Sequence, residues 1–127
     1  MTDEHPARVA GNAVNEDILG SLEYASKVSG SRLIVVLGHD NCGAVLGAIG
    51  TLSPDAPRLP ASVRKMVAPI RPAIQRVAKE QGVQTHEVDV NEVGAEHLKD
   101  TISELLQQSE VITEAVANGT LAVVGAN

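Results

Sequence analysis

The chain has 127 residues, the size of one domain, and 43% of them are apolar, enough for a core and too many for a disordered segment. Its formal net charge of −6, from sixteen acidic and ten basic residues, argues against a nucleic-acid backbone as partner, and with Tyr24 as its one aromatic residue it lacks the stacking platforms of a single-strand binder. A single cysteine forms no internal disulfide and fits a reducing compartment, no apolar run approaches a membrane span, and the first six residues lack the basic and apolar regions of a signal peptide, so a soluble cytoplasmic protein is expected.

Residues 1–8 are polar and carry Pro6, which predicts a frayed start. Residues 9–12 read as the tail of a strand or a turn. Asn15 reads as a helix N-cap, with Glu16 and Asp17 in the first turn, where acidic side chains favour the helix dipole. Ile18, Leu22, Ala25 and Val28 form an apolar stripe at helical spacing, which Gly30 ends. Leu33, Ile34, Val35, Val36 and Leu37 are continuously apolar and mostly branched, the pattern of a parallel strand buried on both faces.

Residues 38–43 then turn into a helix over 44–49. Residues 51–60, with Pro54, Pro57 and Pro60, are a loop. Residues 61–80 read as helical, broken at Pro69 and Pro72, and Arg64, Lys65, Arg71, Arg76 and Lys79 read as a solvated helix face in preference to an anion-binding patch. A long helix covers much of 87–108, with Val93, Leu98, Ile102, Leu105 and Leu106 facing inward and His86 and His97 taken as surface residues. Ser109 caps a short helix through Val116, closed by Asn118 and Gly119, and residues 121–124 are the second buried-strand candidate.

This order predicts an α/β fold, a single domain over 1–127 with a parallel sheet flanked by helices. Two strands are too few to bury both faces of such a sheet, so the expectation is that the remainder is missing or supplied by a partner.

Chemistry concentrates in Gly38-His39-Asp40-Asn41-Cys42-Gly43. His39 lies at the carboxyl end of a strand, where open α/β sheets gather small-molecule ligands. Cys42 falls at the start of the next helix, and the flanking glycines allow a sharp turn. An imidazole and a thiolate from one tight turn make half of a zinc site. Two other readings stand beside it: a buried cysteine acting as a small hydrophobe, and a glycine-flanked helix start cradling an anion. No P-loop lysine follows, which argues against a nucleotide.

Four blocks carry a resemblance: RVAGN at 8–12, DILGSLEYA at 17–25, LIVVLGHDNCGAV at 33–45 and EAVANGTLAVVGA at 114–126. In this order they resemble β-class carbonic anhydrases, over most of residues 8–126 and only loosely across 51–90. The resemblance implies zinc as cofactor, reversible hydration of carbon dioxide to bicarbonate as the family reaction, and a homodimer or higher homo-oligomer. It also places His39 and Cys42 at two of the family's zinc-ligand positions.

The family's third ligand is a cysteine in a Cys-x-Asp-x-Arg motif whose Asp and Arg form the catalytic dyad. Only seven residues precede Arg8 and none is Cys, so a partial zinc site is expected here. His5, His86, His97 and Asp40 are not expected to replace the missing ligand. The strand carrying that motif would pair beside residues 33–37. Its absence predicts an incomplete β-carbonic anhydrase-like fold with an unpaired edge, and hence an obligate oligomer or a marginally folded chain. Beside the enzyme reading stand a non-catalytic zinc-binding or structural oligomerisation module, and a fragment of a longer carbonic anhydrase.

Overall fold

Short polar side chains set where three of the helices begin. The computed structural model describes residues 6–127; His5 and the first five residues of the frayed start expected over 1–8 lie outside them. Residues 6–9 carry no helix or strand and Ala10–Asn12 form one 3-10 turn, so the start of the described chain is a turn and not a strand tail. Asn15 Oδ1 accepts from the Ile18 N–H at 2.9 Å and opens α1 (Glu16–Lys27), as its sequence predicts. Strand β1 (Leu33–Leu37) follows, then α2 (Gly43–Gly50).

The helical run after the proline loop is interrupted where the prolines fall. It consists of α3 (Ala61–Val67), a 3-10 turn at Ala68–Ile70, and α4 (Arg71–Gln81), which Gly82 closes at φ +67°. Asp89 Oδ1 accepts from the Asn91 and Glu92 N–H groups at 2.9 and 3.0 Å and starts α5 (Val90–Gln108). Ser109 Oγ accepts from the Ile112 N–H at 3.1 Å and starts α6 (Glu110–Ala117). Strand β2 (Ala122–Ala126) then pairs with β1 in parallel, Leu33 opposite Ala122 through Leu37 opposite Ala126. The fold is α/β, as expected.

Burial of the strands departs from expectation. Ile34 is buried and Val36 partly so, but Leu33, Val35 and Leu37 are 54, 43 and 64% exposed and Val124 is 44% exposed. Side chains of a strand alternate between faces. Helices α1, α5 and α6 cover only the face that carries Ile34, where Leu19, Leu22, Leu105, Leu106 and Ile112 meet it. An apolar run reads the same whether one face or two are covered, so the sequence could not show this.

Two hydrophobic cores result. Ile34, Leu105, Ile112 and Leu121 centre the one beneath the sheet; Val45, Ile49, Val67, Ile70, Ile74, Val77 and Val93 centre one among α2–α5. Helix α5 joins them through Val93, His97, Thr101 and Leu105, buried at a spacing of four residues. Leu98 and Ile102 are half-buried and close on Gly125, where an added Cβ would lie 2.9 Å from Ile102 Cδ1 and 3.3 Å from Leu98 Cδ2. His97 therefore corrects its reading as a surface residue: it is 4% exposed, with Nε2 bonded to the Gly11 carbonyl and Nδ1 without a partner among the described residues. Among the described residues no helix is long and apolar enough to cross a membrane.

Candidate metal-binding site

The turn that follows β1 is held at both ends and in its middle. The Gly38 N–H donates to the Ala126 carbonyl at 2.8 Å, carrying the strand pairing one residue further. An added Cβ on Gly38 would lie 3.3 Å from Asn127 Oδ1 and 3.9 Å from both Asn12 Nδ2 and Leu98 Cδ2, so close packing accounts for glycine there. Gly43 has open space around its Cβ position. The sharp bend comes instead from Asn41, at φ +54°, a left-handed conformation that asparagine tolerates.

Two long-range bonds brace this bend. The Asn41 N–H donates to Asn91 Oδ1 at 2.9 Å, and Asn127 Nδ2 donates to Asp40 Oδ1 at 3.3 Å. Asp40 thus faces the end of β2, and one N–H of the turn is spent on Asn91, which leaves less of an anion cradle than the glycines suggest. Neither Asn91 nor Asn127 was singled out by sequence; Asn91 is readable as a first-turn residue of a helix, but its partner lies 50 residues away.

Both predicted ligand residues sit on this turn. His39 is exposed, and its Nδ1–H donates to the Asp40 carbonyl at 3.0 Å. A carbonyl only accepts, so this contact calls for a proton on Nδ1, and in that neutral tautomer Nε2 has the lone pair of a metal-ligating histidine. Cys42 is the N-cap residue of α2; it is half-buried against the helical core, and its side chain makes no capping bond. Its sulfur is not committed to the helix.

These donor types suit zinc, but their number does not. Among the described residues no group of three His, Cys, Asp or Glu side chains is placed to hold a metal ion. His86 is exposed on the 3-10 turn Thr85–Glu87, and His97 is buried against Gly11. A catalytic zinc takes three protein donors and one open position. Residues 6–127 by themselves do not fit such a centre.

Comparison with known proteins agrees with the four sequence blocks. A family model described as carbonic anhydrase matches residues 3–127. The chain is 37% identical over 126 residues to a carbonic anhydrase of Mycolicibacterium smegmatis, and 36% identical over 126 residues to carbonic anhydrase 2 of Mycobacterium tuberculosis. Each alignment takes in 98% of this chain and 58% of the relative, so the chain spans a little over half the length of the relatives it matches. The chain belongs to the carbonic anhydrase family, in its β class.

Proposed function

We propose that this chain contributes His39 and Cys42 to a zinc site of the β-carbonic anhydrase type, and that a third protein donor comes from beyond residues 6–127. The reaction served is the reversible hydration of carbon dioxide to bicarbonate, in a cytoplasmic setting that the lone cysteine fits. One observation carries the reading: a braced turn presents a histidine whose Nδ1 is bonded to a backbone carbonyl and an uncommitted cysteine at the carboxyl end of a parallel strand. With two donors, no catalytic step is assigned to the chain alone.

Zinc per purified chain and carbon dioxide hydration by stopped flow test this together. The expected result is weak zinc binding, lost in both His39→Ala and Cys42→Ser, and no hydration above the buffer rate. Tight stoichiometric zinc with hydration would overturn the half-site. Zinc retained in either variant would refute the ligand assignment.

A second reading, association, rests on the sheet. Leu33, Val35, Leu37 and Val124 are exposed together on one face, and both outer edges of the two-stranded sheet are unpaired among the described residues. The occupant proposed is another copy of the chain, in a homodimer or higher homo-oligomer. Light scattering coupled to size-exclusion chromatography checks it, and a stable monomer that unfolds cooperatively refutes it.

A further inference from the structure

Residues 56–79 contain Arg58, Arg64, Lys65, Arg71, Arg76 and Lys79, six of the chain's ten basic residues, and none of its sixteen acidic ones. In a chain of net charge −6 this concentrates positive charge on α3, α4 and the turn between them. Arg76 is neutralised, since its Nη2 donates to both oxygens of Asp100 at 2.7 Å. Arg64 and Arg71 are not: among the described residues neither forms an ion pair.

The two arginines line one pocket of about 300 Å³, together with Ala48 and Thr51 at the end of α2 and Val67 and Ala68 where α3 ends. No acidic side chain lines it. The sequence pattern reads Arg64 as part of a solvated face, but it is partly buried, and its Nε has no hydrogen-bond partner among the described residues.

Carbonyls at a helix C-terminus commonly receive such a guanidinium. Those of α2 each accept a bond from the chain that follows them. The Gly47 and Ala48 carbonyls accept from the Thr51 N–H at 3.0 Å and the Thr51 hydroxyl at 2.6 Å. The Ile49 and Gly50 carbonyls accept from the Leu52 and Ser53 N–H groups at 3.1 and 3.2 Å. The pocket therefore holds two like charges with no acidic side chain beside them, and apolar walls that strengthen any charge-assisted bond made there.

We propose that this pocket binds a small phosphate-type oxyanion through Arg64 and Arg71. A guanidinium presents a fork of donors that matches phosphate and carboxylate oxygens alike. Two guanidiniums with no carboxylate between them favour the dianion, which offsets both charges, over a monoanionic carboxylate. The site lies at the opposite end of α2 from Cys42 and is independent of the zinc reading.

The test is a titration of the isotope-labelled full chain with inorganic phosphate, ionic strength held constant with chloride, read by nuclear magnetic resonance at the arginine Nε–H signals. A saturable shift of the Arg64 signal is expected. Arg71→Gln, an exposed position that leaves the fold intact, should weaken binding by about tenfold or more, the effect of losing one charge-assisted contact. Acetate in place of phosphate should bind weaker by a similar factor. Arg64→Lys, which keeps the charge and loses the fork, should also weaken binding; should it unfold the chain, Arg71→Gln decides alone. A shift that does not saturate, an Arg71→Gln variant that binds as the parent does, or acetate binding as tightly as phosphate would each overturn the proposal.

Discussion

The backbone N–H of Asn41 donates to Asn91 Oδ1 at 2.9 Å, joining the turn that carries His39 and Cys42 to the first turn of α5. The Asn91 N–H is itself held by Asp89, so the side chain that braces the metal turn belongs to a capped helix start. A helix anchored in both cores thus positions the candidate ligands.

Substitutions at Asn41 separate its backbone role from its side chain. At φ +54°, Asn41→Ala should cost about 1 kcal/mol through the left-handed conformation, whereas Asn41→Gly should be close to neutral. Asn91→Ala removes an exposed hydrogen bond and should cost about 0.5–1 kcal/mol. Denaturant unfolding reads all three. Equal effects of Ala and Gly at position 41 would show that the bend is not held left-handed.

Gly11 and Gly30 make a matched pair. Both have positive φ, +76° and +74°, so alanine at either should cost about 1 kcal/mol for backbone conformation. An added Cβ at Gly30 meets open space, but at Gly11 it lies 3.1 Å from Ile70 Cδ1 and 3.3 Å from Ala44 Cβ. Gly11→Ala should therefore lose a further 1–2 kcal/mol or so from overpacking. Thermal unfolding of the two variants compares them directly, and equal losses would mean that Ile70 yields without cost.

Much of the fold is legible in the sequence because its signals are local. The caps at Asn15 and Ser109, the glycine stops and the breaks at Pro69 and Pro72 each act within one turn. The apolar run of β1 fixes a strand but not how many of its faces are covered, since that depends on helices up to about eighty residues further along the chain. The turn that carries the candidate ligands is legible in the sequence, while the braces at Asn91 and Asn127 are not, because a polar residue gives no sign of a distant partner. The burial of His97 is hidden for a related reason: on α5 it lies in line with Val93, Thr101 and Leu105, but a polar residue does not count towards an apolar stripe.

His97 and His86 should respond very differently to alanine. His97 is buried between the two cores, and its removal leaves both a cavity and an unpaired Gly11 carbonyl. The expected cost is about 2–4 kcal/mol. His86→Ala, at an exposed turn, should stay within about 0.5 kcal/mol. Denaturation midpoints at one pH give both values, and a mild His97→Ala would show that the Gly11 contact contributes little.

Arg76 should be nearly invisible to pH titration near neutrality. The hydrogen bond to Asp100 is the main cause that raises the Arg76 pKa above the ordinary arginine value, assisted by the charges of Asp100 and Glu96 and opposed by burial. A raised folded-state pKa gives stability that is fully present below the unfolded value and is lost only as pH rises through the folded one. For arginine that window is strongly alkaline, so this group adds no slope between neutral and mildly basic pH. Asp100→Asn should cost no more than about 0.5 kcal/mol, less in high salt, because the pair is exposed. A larger, salt-independent loss would assign the pair a packing role.

Ile34 and Leu37 lie on opposite faces of β1 and should separate folding from association. Ile34 is buried beneath α5 and α6, so Ile34→Ala should cost about 2–4 kcal/mol of folding stability. Leu37 is 64% exposed and points away from that core, so Leu37→Lys should leave unfolding of the monomer almost unchanged. It would, however, set a charge where a second chain must bring apolar surface, and desolvating that charge opposes contact. Light scattering should show the oligomer weakened by Leu37→Lys and not by an exposed control such as Lys79→Glu on α4. If both variants associate as the parent does, the contact lies elsewhere than on this face; if the parent is monomeric throughout, the uncovered sheet is tolerated by the chain alone and the association reading falls.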